Sequence, residues 1–245
     1  VIEKFISPDI NLSPKPVYKD DAQTILKHPG LDNHGMGTIF EELIRKFNEE
    51  NNEEAGEHWT PRDVVELMAD LVFIPIASQI KDATYSCYDG ACGTGGMLTV
   101  AQDRLLAIAQ QYGKNVSIHL FGQEVNPETY AICKADMLLK GDGEQAEHIS
   151  YGSTLSLDGN ATRQFDFMLS NPPDRKSWKV DAEKMGGKKE ILDTRFNVYL
   201  EGGEQMAMIP RTSDGQLLFL LNNVAKMKKD TPLGSRIAEV HNGSS

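Results

Sequence analysis

The stretch TYSCYDGACGTGG, Thr84 to Gly96, decides how the rest of the chain is read. A run rich in strand-forming Tyr, Thr and Cys ends at Asp89, glycines follow at 90, 93, 95 and 96, and MLTVAQDRLLAIAQQY continues with helical spacing. Strand, glycine turn and helix in this order form the first unit of an α/β sheet, with backbone flexible enough to approach a ligand. The spacing G-x-x-G-x-G-G is not the dinucleotide fingerprint G-x-G-x-x-G. Nor is it a P-loop, because no Lys-Ser or Lys-Thr follows the last glycine. An acidic residue ahead of the glycines suits a cationic or neutral ligand group better than a pyrophosphate. Taken alone, such a turn can equally be structural.

Downstream, SIHLFGQEV reads as a strand and PETYAICKADMLLKG as a helix closed by Gly141. HISYGSTL and FDFMLSNPP are further strands, SDGQLLFLLNNVAKMKK a helix capped by Ser213 or Asp214, and SRIAEVHNG a last strand. This alternation predicts a doubly wound, mostly parallel α/β sheet with helices on both faces. Upstream, TPRDVVELMADLVF predicts a helix with Thr60 as N-cap and Pro61 at its first position. Ile39, Phe40, Leu43, Ile44 and Phe47 form an amphipathic helical stripe before it. Residues 1–35, with four prolines, read as an extended lead-in.

A chain of 245 residues, 40% hydrophobic and 25% charged, suffices for one large domain or one domain with an appendage. No apolar run approaches the ~18 residues of a membrane span, and VIEKFISPDI lacks a signal peptide's apolar segment, so a cytoplasmic protein is expected. Cys87, Cys92 and Cys133 form no C-x-x-C pair and read as reduced thiols, with no metal site expected. A net charge of -11 argues against gripping nucleic acid unaided. The lysines of DRKSWKVDAEKMGGKKE are a local exception, and a solvated loop is their ordinary reading.

In doubly wound sheets, ligands sit beyond the carboxyl ends of the strands. Glu124 ends the second strand, where a carboxylate can accept both hydroxyls of a ribose. With the acidic glycine turn, this favours S-adenosylmethionine over a dinucleotide. The strand FDFML ends in SNPPD, Ser170 to Asp174. Two prolines there mean that the chain has left the sheet and is held stiff. The Asn171 carboxamide oxygen and the Pro172 carbonyl can then accept from one exocyclic amino group, leaving its lone pair for a methyl donor.

HWTPRDVV, DGACGTGG, GQEVNPETYAICKADMLLKGD, YGSTLS, FDFMLSNPP and SDGQLLFLL together resemble the modification subunits of type I restriction-modification systems. These are S-adenosylmethionine-dependent DNA adenine-N6 methyltransferases, and the resemblance runs from about Met36 to Asn242 in their gamma motif order. It implies that Glu57, His58, Trp59, Thr60, Pro61 and Arg62 line the cofactor site, although Arg62 can also be a plain helix-surface residue. Asp89, Ala91, Cys92, Gly93, Thr94, Gly95 and Gly96 would wrap the cofactor, with Glu124 on its ribose and Ser153 bonding its adenine. Ser153 stands where Asp or Asn is usual. Asn171, Pro172, Pro173 and Asp174 would form the catalytic segment that holds the target amine.

Asp174 stands where the family places an aromatic ring that stacks on the flipped base. A weak enzyme, a substitute ring such as Trp178, or a loop missing at this point would each account for it. The resemblance divides the chain into residues 1–56, a lead-in and remnant of an N-terminal helical domain, and 57–245, a catalytic domain truncated at its C-terminus. It implies DNA bound through a complex, with a specificity subunit, a restriction subunit and a second modification subunit as partners. A glutamine-N5 protein methyltransferase and a catalytically silent scaffold remain alternatives.

Overall fold

The computed structural model describes residues 7–31, positions 35, 36, 39, 42, 43 and 46, and residues 60–140, 143–174 and 176–243. Glu57, His58, Trp59 and Gly141 lie outside the described residues, as does most of the amphipathic stripe, including Phe40, Ile44 and Phe47.

The lead-in is more ordered than its prolines predict. Strands β1 (Val17–Tyr18) and β2 (Leu26–His28) pair antiparallel. The turn between them is closed by the Asp20 carboxylate, which accepts from the amides of Thr24 and Ile25.

The main body begins at α1 (Arg62–Phe73) and alternates as expected. It runs through β3 (Ala83–Asp89), α2 (Gly96–Gln111), β4 (Val116–Glu124), α3 (Pro127–Leu139), α4 (Gly143–Glu147), β5 (Ile149–Tyr151) and β6 (Phe167–Ser170). A short α5 (Lys179–Lys184), the antiparallel pair β7 (Asn197–Tyr199) and β8 (Gln205–Ala207), α6 (Gln216–Ala225) and β9 (Arg236–Glu239) complete it. Five strands form one parallel sheet in the order β5-β4-β3-β6-β9. The chain builds outward from β3 through β4 to β5, then returns to place β6 on the other side of β3. The switch point therefore lies between β3 and β6, where a doubly wound sheet opens a crevice.

Both faces of the sheet are covered, and successive residues report it. Cys87, Leu120, Phe167 and Leu169 pack into the core with α1, α2 and α3, while Tyr88, Phe121 and Met168 join a second cluster on the opposite face. This is the period-two alternation of a strand buried on both sides. Phe73 of α1 meets Phe167 edge-on at 5.0 Å, and Tyr88 stacks on Phe165 at 4.6 Å on the other face.

Two helix boundaries depart from expectation. Thr60 does not cap α1: its N-cap is Pro61, without a side-chain cap. α6 ends at Ala225, short of the predicted Lys229, because Lys226 is buried against Asp158 and Met227 bridges to Phe165. Its N-cap is Gly215, while the Asp214 carboxylate accepts from the Gln216 amide.

Candidate active site

The tips of β3, β4, β5 and β6 converge on one cavity at the carboxyl edge of the sheet. β3 ends at Asp89, which is 2% exposed. Its Oδ1 accepts from Ser170 Oγ at 2.8 Å and from the Ala91 amide at 2.9 Å, tying β3 to β6 across the switch point. Burial raises its carboxyl to about 7, and the nearby Glu124 and Glu239 push the same way.

The chain then turns through Gly93 (φ 55°) and Gly95 (φ 88°), a backbone that side chains rarely adopt. A Cβ at Gly95 would stand 2.9 Å from Cys133 Sγ, so the loop can lie this close to α3 only with glycine there. Gly96 and Met97, which open α2, line the cavity. The Cys92 thiol is buried; its hydrogen bond with Cys133, then burial, raises its pKa, so it forms wall rather than nucleophile.

Glu124 faces this loop from the tip of β4. Its Oε2 accepts from the Gly93 amide at 3.0 Å and its Oε1 from the Asn126 amide at 2.7 Å. Two backbone donors thus fix the carboxylate, and each oxygen keeps capacity for a second donor.

The third wall is the loop after β5. Buried Gln123 donates to the carbonyls of Gly152 (3.1 Å) and Leu157 (2.7 Å) and accepts from the Gly159 amide. The Thr154 hydroxyl donates to the Gly90 carbonyl. From outside, the Arg195 guanidinium donates to the carbonyls of Thr154 (2.8 Å) and Leu155 (2.9 Å) while paired with Asp193 and Asp158. Asp158 also binds the buried Lys226 ammonium at 2.6 Å, and burial lowers the pKa of that lysine.

On the fourth side, Asn171 follows β6, and its Nδ2 donates to Thr60 Oγ1 at 3.0 Å. Asp174 turns away: its Oδ2 accepts from Asn242 Nδ2 at 2.6 Å and its Oδ1 from Gln216 Nε2 at 3.4 Å.

A doubly wound sheet with an acidic glycine loop, a strand-tip glutamate and Asn-Pro-Pro on one cavity is the setting in which sequence likeness decides between families. The sequence model of the N-6 DNA methylase family matches residues 31–234. The chain belongs to the N-6 DNA methylase family.

Relatives within the family carry the same stretch. The type I restriction enzyme MpnII methylase subunit of Mycoplasma pneumoniae is 30% identical over 171 residues, 66% of this chain and 28% of that protein. The MjaIX methylase subunit of Methanocaldococcus jannaschii is 27% identical over 190 residues, 76% of this chain and 29% of that protein. The chain thus spans less than a third of the length of these two curated relatives. The crystal structure of a type I restriction-modification methyltransferase subunit from Streptococcus thermophilus superposes with a TM-score of 0.57 at 26% identity. The superposition covers 80% of this chain and 37% of that one.

Most of the N-6 methylase residues read from the sequence come together. Thr60, Arg62, Asp89, Ala91, Cys92 and Gly93 line the cavity, as do Thr94, Gly96, Glu124, Ser153, Asn171 and Pro173. Arg62 is also the helix-surface residue of the alternative reading, paired with Glu66 at 3.1 Å on exposed α1. Gly95 and Pro172 are buried and are not among the lining residues, and Pro61 is exposed at the start of α1. Asp174, expected in the catalytic segment, is exposed and does not line the cavity, because its carboxylate is engaged by Gln216 and Asn242. Trp178 does not offer its ring to the cavity. It is 2% exposed, donates Nε1–H to the Arg211 carbonyl and packs with Leu155, Phe196 and Leu218.

Sequence reasoning missed several wall residues. Val125, directly after Glu124 and 56% exposed, offers an apolar face at the cavity and was within reach of the strand-tip argument. Phe219, Lys176 and the Gln123 clamp carried no such signal, because their place depends on how α6 and the loop after β5 fold over the sheet.

Proposed function

We propose that this chain is the catalytic core, residues 57–245, of a DNA adenine-N6 methyltransferase, the modification subunit of a type I restriction-modification system. The observation that carries the reading is the meeting, across the β3/β6 switch point, of a fixed strand-tip carboxylate and Asn171 and Pro173 of an Asn-Pro-Pro segment in one cavity.

The residues present suit S-adenosylmethionine. Glu124 is preorganised to accept ribose hydroxyls, and Gly93 turns the loop at the cavity through a backbone conformation that side chains rarely adopt. The buried Asp89 carboxyl, raised to about 7, suits the cationic amino group of a methionine, which would favour its ionised form. Val125 offers an apolar surface to the adenine ring, and Ser153 stands by as a hydrogen-bonding partner. When bound, the cofactor supplies an electrophilic methyl carbon.

Asn171 Oδ1 and the Pro172 carbonyl then accept the two N–H bonds of the target amine. Its lone pair is left aimed along one line, and positioning rather than proton abstraction does the catalysis. The target adenine must leave the DNA stack to reach them. An acidic chain of net charge -11 depends on others to grip DNA. A specificity subunit, a second modification copy and a restriction subunit fit that need, in a cytoplasmic assembly. Among the described residues, no helix is long and apolar enough to cross a membrane.

The deciding experiment incubates the chain and its specificity subunit with DNA and methyl-labelled S-adenosylmethionine and then identifies the modified base. N6-methyladenine is the expected product; label on cytosine, or on protein glutamine, would overturn the assignment.

A further inference from the structure

We propose that Thr60 is a positioning residue for methyl transfer, setting which edge of the Asn171 carboxamide meets the substrate amine. The inference rests on the adenine-N6 reading above and adds to it a residue 111 positions away in the chain.

Both residues line the cavity, and Asn171 Nδ2 donates to Thr60 Oγ1 at 3.0 Å. The terminal torsion of a carboxamide is broad and roughly two-fold, so neither orientation is favoured by the side chain itself. The two edges are chemically opposite, because the oxygen only accepts and the NH2 only donates. Turned one way, Asn171 draws off an N–H of the target amine and leaves the nitrogen lone pair for the methyl carbon. Turned the other way, it sets N–H against N–H. In the structure Nδ2 is the edge that donates to Thr60 Oγ1, which leaves Oδ1 free for the amine; the hydroxyl, able to accept or donate, holds the carboxamide by accepting here.

A second observation points the same way. A threonine directly before Pro-Arg-Asp at a helix start is well placed to cap the first turn. Here α1 has no side-chain cap, and the Thr60 hydroxyl instead meets Asn171 beyond the tip of β6. The bond therefore joins the lead into α1 to the segment after β6, both on the cavity wall.

The test compares Thr60→Val, which keeps the shape and removes the acceptor, with Thr60→Ser, which keeps the acceptor. Each variant is assayed as the full chain with its specificity subunit, DNA and S-adenosylmethionine. Thr60→Val should lower kcat by roughly tenfold or more, the effect of leaving the amide unpaired or misturned. Its cofactor Kd, at a residue that shares the cavity, should change by a clearly smaller factor than kcat, and Thr60→Ser should recover kcat to within about threefold. Protection of the Asn171 side-chain NH2 from hydrogen exchange should be lost in Thr60→Val and kept in Thr60→Ser, a readout independent of turnover. If Thr60→Val proves unstable, Thr60→Ala serves the same comparison.

Undiminished kcat in Thr60→Val would overturn the role, as would equal losses in Val and Ser. A defect confined to cofactor Kd would assign Thr60 to the cofactor instead. A parent enzyme that leaves adenine unmodified would overturn the function itself, whereas an active parent with an unimpaired Thr60→Val removes only the positioning role.

Discussion

The two sides of the crevice are built differently. The side proposed for the cofactor comes from two short runs, Asp89–Gly96 and 122–126, each held by bonds between near neighbours and joined across adjacent strand tips by Gly93 and Glu124. The side proposed for the target presents Thr60 and Asn171, with Asp174, Gln216 and Asn242 tying the segment behind it, all brought together only by the closed fold. The first has its two central runs joined within one β-α-β unit, with Ser170 and the loop after β5 closing its walls. The second exists only when α1, β6, α6 and the segment after β9 are all in place. Binding and turnover should therefore separate by side.

The largest expected effect is on the target side. Asn171→Ala should lower kcat by at least about 100-fold, the scale of losing one preorganised transition-state partner, and leave cofactor affinity intact. Parallel losses in both, measured by calorimetry and single-turnover assay, would erase the proposed division. Next, Glu124→Ala should weaken cofactor binding by roughly 10- to 100-fold, since hydrogen bonds to a carboxylate are removed. Retained affinity would move the ribose site elsewhere.

A pH experiment sharpens the contrast within the cofactor side. Asp89 has a carboxyl near 7 in the folded chain against 3.8 ordinarily. The folded state binds its proton more tightly than the unfolded state. The resulting stability is full below pH ~4 and is lost as pH rises toward 7. Asp89→Asn should therefore melt about 5 °C above the parent at pH 8 without cofactor, with the gap closing in acid. An equal gap at both pH values would mean that burial of the charge is not the cause. The smallest effect belongs to Asp174. Asp174→Ala should change turnover by less than about twofold, because Asp174 is exposed outside the cavity and its short bond, to Asn242, lies in solvent. A large loss would return it to the catalytic segment.

Much of the cofactor side was legible because its signals are local. A glycine that alone can take φ 88°, a carboxylate at a strand tip and prolines that end a ladder each act within a few residues. The same locality misled in two places. Thr60 before Pro61 reads as a cap, and Trp178 after Asn-Pro-Pro reads as a spare stacking ring, because sequence carries propensity and proximity but not the partner that wins. Thr60 bonds Asn171 instead, and Trp178 is buried with Phe196 and Leu218. Likewise, the helical reading through Lys229 gave no sign that Lys226 would be buried against Asp158.

The sequence by itself determined the parallel α/β sheet, the strand tips that face the ligand and the residue types suited to a nucleoside cofactor and an amine. These follow from backbone sterics and hydrophobic period, which each segment carries wherever it sits. Tertiary structure alone decided that Asp89 is desolvated beside Ser170, that Arg195 pins the loop of Ser153 from outside, and that Asn171 meets Thr60. Each of those depends on burial and on a distant partner, and neither is a property of any segment taken singly.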